Sequence, residues 1–232
     1  MKRGNIGQIE FIEDTHQYWI TDEKGHRQLN GVTSIIAKKL GKNFPQNSTT
    51  VQLACSYGSQ IHKEIERWIE EGKEPDTDNG KWLKSEIIKF QSKVGKTECQ
   101  RLEGEKLVSD FENTASNVDI VLHSLEGVFL FDIKTGGFDR KYCTMQLNAY
   151  RLMYENSYDE KVLGLYVLNT KSKRTFTIFT CDDKDILKLM EDNHKSTNII
   201  STIETENDNN LFRTNNNYSS DCSYERINHN RR

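Results

Sequence analysis

The chain has 232 residues, 34% of them hydrophobic, and a formal net charge of −3. That is enough for one substantial domain, or a domain with an appendage, around a modest core. It excludes a DNA-binding protein of the simple basic type. If nucleic acid is the partner, binding must come from local basic patches, and part of the acidity must sit in a site that a cation neutralises.

Cys55, Cys99, Cys143, Cys181 and Cys222 are scattered, with no CxxC or Cys/His cluster. That argues against a zinc ribbon and leaves no compact ligand set for an Fe–S cluster. An odd number of scattered thiols suits a reducing compartment. The opening "MKRGNIGQIEF" has no apolar stretch of the signal-peptide kind, and no run of eighteen apolar residues follows. The expectation is a cytoplasmic protein without a membrane span.

In chain order, "IEFIEDTHQYWIT" predicts short strands, "DEKGHR" a turn, and "GVTSIIAKKLG" a short helix ending near Gly41. From 50 to 72, apolar residues at 61, 65, 68 and 69 have helical spacing, and Gly72 supplies an end. "EPDTDNG" reads as a loop and "KWLKSEIIKFQSKV" as a second helix. "CQRLEGEKLVSDF", "SNVDIVLHS" and "GVFLFDIKT" are three strand candidates, and "CTMQLNAYRLMYENS" returns to helix. "VLGLYVLNT" and "TFTIFTC" read as strands joined by the basic turn "KSKR", and "DDKDILKLMEDNHKSTNII" as a closing helix. From about 205 the sequence is Asn-rich with few apolar residues, which predicts a disordered tail over 205–232 behind a domain over 1–204. The order αα–βββ–α–ββ–α predicts a mixed α/β (α+β) domain, with a central, partly antiparallel sheet flanked by helices.

One stretch stands out. "LFDIKTGG", residues 130–137, places Asp132 and Lys134 inside an apolar run. Alternation puts both on one strand face, after Val128 and Leu130, with Phe129, Phe131 and Ile133 on the other. A turn centred on "SLEG" (124–127) sets opposite one another residues whose numbers sum to 251, so Asp119 falls across from Asp132. Directly opposed side chains lie ~5 Å apart at Cβ. Two carboxylates at that distance repel by ~3 kcal/mol at an effective dielectric of about 20. A proton, Lys134 or a divalent cation must offset this. Hard cations such as Mg²⁺ are commonly held by one or two carboxylates with phosphate and water. The tripeptide alone more often marks the charged face of a surface strand with a local ion pair.

Three further features change the balance. His62 and Glu66 are four apart on the helix "GSQIHKEIERW", beside the apolar stripe of Ile61 and Ile65. Glu105 in "GEKLVSD" is another carboxylate near the start of the sheet. Gln146 and Tyr150 in "MQLNAYRLMY" are also at i, i+4. Each alone reads as a structural or surface residue.

As an ordered set, Gly58 and His62, then Glu105, Val118-Asp119, Asp132-Ile133-Lys134-Thr135-Gly136, and Gln146-Leu147 with Tyr150, resemble the RecB-type branch of the PD-(D/E)XK nuclease superfamily. That branch includes many phage and bacterial exonucleases. "HQYWI…LNGVTSII" is similar to the lead-in of phage-type members, and the resemblance covers roughly residues 9–190. It implies a restriction-endonuclease-like core and hydrolysis of DNA phosphodiesters in recombination, repair or phage DNA metabolism, within a bacterial or phage-infected cell. Asp119 and Asp132 would bind Mg²⁺ or Mn²⁺, joined by His62 and the backbone carbonyl of Ile133. Lys134 would be the catalytic lysine, Glu105 a supporting acid, and Gln146 and Tyr150 would contact the DNA strand or brace the site. The chain departs from the pattern at Ser116 and Asn117, where a glycine is common, and at Val118, the position of the superfamily's proline. It also lacks the cysteine set of relatives that carry an Fe–S cluster.

Basic patches for a DNA backbone are Lys38, Lys39 and Lys42, then Arg140 and Lys141, then Lys171, Lys173 and Arg174; each is also an ordinary solvated face. Tyr142 and Tyr150 could stack on unpaired bases or pack in the core. The expected partner is DNA, single- or double-stranded, with room for a recombination or replication protein. The rival readings are an endonuclease of restriction or toxin type, and a non-catalytic nucleic-acid-binding module on the same fold.

Overall fold

The computed structural model describes residues 6–42, 49–95 and 100–191. The Asn-rich tail lies outside the described residues, as does the end of the closing helix. Among the described residues an eight-stranded mixed sheet is flanked by helices on both faces, the expected architecture.

The N-terminal segment is a meander of β1 (Ile9–Ile12), β2 (Gln17–Asp22) and β3 (Gly25–Gly31). The two-residue turn between β2 and β3 requires positive φ after it, and Gly25 supplies it at 98°. Helix α1 (Val32–Lys39) follows directly. Helix α2 (Thr49–Glu71) buries Ile61 and Ile65, the predicted stripe. Helix α3 (Asp78–Val94) starts three residues before the predicted one, inside the supposed loop "EPDTDNG". Its N-cap Thr77 accepts the Gly80 N–H at 3.0 Å, and the buried Glu64 of α2 accepts from Thr77 N at 3.1 Å and Oγ1 at 2.7 Å. The cap, satisfied from a neighbouring helix, sets the start.

β4 (Arg101–Ser109), β5 (Thr114–His123) and β6 (Val128–Lys134) form the predicted antiparallel run. The expected hairpin register is present where Ile120 pairs with Phe131, Val121 with Leu130, Leu122 with Phe129 and His123 with Val128, but the ladder ends there, one position short of the expected pairing of Asp119 with Asp132. Helix α4 (Arg140–Tyr158) crosses over, capped by Asp139 on Tyr142 N. β7 (Val162–Asn169) then pairs parallel to β6, and β8 (Arg174–Ile178) closes the sheet edge. A last helix, α5, is described over 183–191.

Two apolar layers hold the sheet. Val128, Leu130 and Val167 pack with Leu147, Met153 and Tyr154 of α4. Phe131, Ile133, Ile120 and Leu122 pack with Ile61, Ile65, Leu83 and Ile87 of α2 and α3. β6 therefore alternates as expected, with Asp132 and Lys134 on the α4 side. Its strand is buried on both faces, as sheets covered by helices require.

Strand β5 carries two neighbours on one edge. β4 pairs along its other edge from Arg101↔His123 to Ser109↔Ala115. Ala115 also pairs with Gly31 of β3, and Ile120 also pairs with Phe131 of β6. β3 and β6 thus diverge from a common edge, and between their ladders the stretch from Ser116 to Asp119 meets no strand there among the described residues.

The alternation of β4 and β5 slips at this level. Val118 faces α4, yet Ile120 and Leu122 face α2 and α3. Across from them, Val108 and Lys106 face α4, Lys106 over the Tyr158 ring, while Leu102 faces α2 and α3. Both phase changes fall at Glu105, which has φ 44°, and at Asp119, its partner position in the register. A left-handed, non-glycine residue costs on the order of 1 kcal/mol and re-aims the chain.

Cys55 is disulfide-bonded, at odds with a chain of free thiols, whereas Cys143 and Cys181 are free. Cysteine spacing along the chain does not report proximity in space. Among the described residues no helix is long and apolar enough to cross a membrane.

Candidate metal-binding site

The open stretch of the β5 edge is where the candidate residues meet. Asp119, at the phase slip, turns its carboxylate toward β6, where Oδ2 accepts the Ile133 N–H at 2.5 Å. Its Oδ1 lies 3.5 Å from His62 Nδ1, brought in by α2. Glu105 reaches the same imidazole, Oε1 at 3.8 Å from Nδ1. His62, Glu105 and Asp119 each offer a ligand atom, all within 4.8 Å of one another.

Asp132 is 1% exposed and lies beside this trio. Lys134 Nζ sits 3.1 Å from its Oδ1 and 3.0 Å from its Oδ2. Burial works against the Lys134 ammonium, but Asp132 together with Cys143, Tyr142 and Asp119 outweighs it, and the lysine pKa stands well above its ordinary value. Burial, above all, lifts the Asp119 carboxyl well above the ordinary carboxylate range. Asp132 and Glu105 add to that rise, against the pull of His62 and Lys134. Three carboxylates, of Glu105, Asp119 and Asp132, thus crowd around one imidazole and one ammonium.

These groups line a cavity of about 20 Å³, room for roughly one water or one bare ion. Size and donors both fit a divalent cation. One imidazole with two carboxylates suits an ion that accepts nitrogen and oxygen, such as Mn²⁺, while carboxylate and water also serve Mg²⁺. Glu105, expected only as a supporting acid, belongs to this trio. Asp132, expected as a ligand, lines the cavity with its carboxylate engaged by Lys134.

Gln146 and Tyr150 form the α4 wall, both buried. Gln146 Nε2 donates to the Tyr150 hydroxyl at 2.7 Å, and Ser116 Oγ donates to the same oxygen at 3.2 Å. Ser116, at a position where the resembled pattern favours glycine, thus ties β5 to α4. Burial, with the charges of Asp132 and Asp119, pushes the Tyr150 phenol well above its ordinary pKa.

Sequence reasoning missed the opposite wall. His16, Tyr18 and Thr33 line the cavity from the N-terminal meander and α1, and Asn117 from β5. His16 is left-handed (φ 51°), its ring edge-on to Phe11 at 5.1 Å. The signal available was its place in "HQYWI", yet a single histidine beside a turn reads as a surface residue. Of the basic patches, Lys42 pairs with Asp139 at 2.6 Å and lies 5.0 Å from the Tyr142 ring centroid. Lys173 contacts Asn79 and covers the Trp82 ring at 5.2 Å, remote from Tyr142 in the chain.

No family model and no curated protein matches the chain. Among solved structures, one described as "Crystal structure of SSO0001" is 14% identical, covers 69% of this chain and 82% of that chain, and has a TM-score of 0.29. A likeness that low carries no argument about function.

Proposed function

We propose that the protein is a divalent-metal-dependent deoxyribonuclease of the RecB-like, PD-(D/E)XK kind, acting as an exonuclease in recombination, repair or phage DNA metabolism. The observation that carries this reading is the convergence of His62, Glu105, Asp119, Asp132 and Lys134 on one ion-sized cavity. Five residues drawn from α2, β4, β5 and β6 meet there, in the order the resemblance requires.

His62, Glu105 and Asp119 would hold the cation, with Asp132 adjoining. When bound, it supplies Lewis acidity toward a phosphoryl oxygen and toward water. The chain's own groups do the rest. The Ile133 amide fixes the Asp119 carboxylate, which removes a rotamer cost from ligand assembly. Lys134 keeps its proton and sets a fixed positive charge where negative charge grows on the phosphate in flight. Gln146, Tyr150 and Ser116 brace the wall behind the acids.

The test is incubation of the purified protein with end-labelled linear DNA and with closed circular DNA, in Mg²⁺, Mn²⁺ or EDTA. Metal-dependent loss of label from linear DNA alone is the expected result. Cleavage of circles would mean an endonuclease, and no cleavage in either metal would leave a binding module.

A further inference from the structure

We propose that His16 is a further catalytic residue, which donates a ring N–H to a non-bridging oxygen of the scissile phosphate at the mouth of the metal cavity; this rests on the nuclease reading above.

The first ground is the backbone. Ile12 pairs with Gln17, so residues 13–16 form the turn between β1 and β2. His16 ends that turn, its N–H donating to Glu13 O at 3.1 Å, with φ at 51°. A Cβ is strained in this left-handed conformation and glycine is not. Such strain persists where the surroundings hold a side chain in place for use. Glu105, also left-handed and not glycine, lines the same cavity and offers a metal ligand.

The second ground is the ring itself. It stands edge-on to Phe11 at 5.1 Å and to Tyr18 at 5.8 Å, and those two rings stack on each other at 4.8 Å. The imidazole is thus held by its carbon frame. Among the described residues its nitrogens meet no hydrogen-bond or ion-pair partner, and the half-buried ring lines the cavity. Packing alone would be served as well by phenylalanine. The imidazole keeps an N–H to donate even when neutral.

The third ground is the place of the ring relative to the ion. His62, Glu105 and Asp119 are the residues whose ligand atoms lie within 4.8 Å of one another, and His16 is outside that set. An ion held by the trio occupies a space of about 20 Å³, so the phosphate that it polarises stays at the mouth. The turn carrying His16 lies beside the ligand helix, with Glu13 Oε1 3.6 Å from Nζ of Lys63, the neighbour of His62. Lys134 on β6 and His16 on the N-terminal wall would then supply fixed donors to the same phosphate, which is how charge growing on it is stabilised.

The test uses the full chain with end-labelled linear DNA in Mn²⁺, measuring kcat and KM, with calorimetry of Mn²⁺ binding alongside. His16→Phe keeps the packed ring and removes the donor. It should lower kcat by about 100-fold, raise KM far less, and leave Mn²⁺ affinity unchanged. His16→Gly, relieved of the Cβ strain, should show the same loss and covers the case in which His16→Phe fails to fold. The amides of His16→Asn and His16→Gln stand in for Nδ1–H and Nε2–H, and the better of them should recover about 10-fold over His16→Phe. Wild-type kcat in both His16→Phe and His16→Gly, from a protein that cleaves DNA, would overturn the role and leave the nuclease reading standing. A loss of kcat accompanied by a matching loss of Mn²⁺ affinity would make His16 a metal ligand and overturn the phosphate contact. No recovery in either amide variant would reduce the ring to packing and overturn it too. No cleavage by the wild type in Mn²⁺ or Mg²⁺ would overturn the nuclease reading, and this role with it.

Discussion

Asp119 spans the gap between β5 and β6: Oδ2 accepts the Ile133 amide proton at 2.5 Å, while Oδ1 faces His62 Nδ1 at 3.5 Å. One carboxylate thus meets a main-chain donor at the place where the β5–β6 ladder has opened, and presents its second oxygen to the candidate metal position. Asp119→Ala should remove both roles. We expect Mn²⁺ affinity, measured by calorimetry, to fall by at least about 10-fold, and cleavage to vanish while the circular-dichroism spectrum persists. Wild-type affinity in this variant would remove Asp119 from the ligand set.

The raised pKa of Asp119 makes a prediction of opposite sign for stability. In the metal-free protein the native carboxyl keeps its proton at pH values where the unfolded chain, at about 3.9, has released it. Its contribution is therefore full below that ordinary value and is lost as the pH rises from there through the raised native value. Asp119→Asn cannot titrate and keeps an oxygen for the Ile133 amide. Its urea midpoint should exceed that of the wild type at pH 7, and the gain should shrink toward pH 3.5. A gain that does not change with pH would show that charge at Asp119 is not the cause. Metal affinity of the wild type should rise with pH over the same window, because the ion competes with that proton.

Glu105 combines a ligand role with a strained backbone, at φ 44° in mid-strand. Glycine adopts that conformation without the Cβ penalty. Glu105→Gly should be more stable than Glu105→Ala by about 1 kcal/mol in chemical denaturation, and both should bind Mn²⁺ more weakly than the wild type. Equal stability of the two variants would mean that the strand relaxes away from the left-handed region.

The cap of α3 is a structural prediction away from the chemistry. A Cβ at Gly80 would collide with Glu64 Oε2 and lie 2.7 Å from Pro75 Cβ. Gly80→Ala should therefore destabilise the fold by about 1–3 kcal/mol, despite alanine's better helix propensity. Thr77→Ala should cost about 1 kcal/mol through loss of the cap. Thermal melts of both variants check this, and a stabilised Gly80→Ala would contradict the packing described.

Part of the site was legible because strand arithmetic is local. The turn over 124–127 fixed the pairing of Ile120 with Phe131, and alternation fixed the face of Asp132 and Lys134. The i, i+4 spacing of Gln146 and Tyr150 translated into a hydrogen bond. The phase slip at Glu105 and Asp119 was not legible, since "GEKLVSD" contains no glycine at the left-handed position and only pairing between two strands creates the twist. Nor was the His16 wall, because β3 joins β5 through two residue pairs separated by more than eighty positions. The early start of α3 was hidden for a similar reason: its cap is completed by Glu64 from another helix.

The most direct test of the central claim compares wild type with Lys134→Ala on end-labelled DNA in Mn²⁺, with the folded state of both verified. The account predicts nucleotide release by the wild type, none in EDTA, and a loss of at least about 100-fold in Lys134→Ala. Equal rates in the two proteins would contradict it.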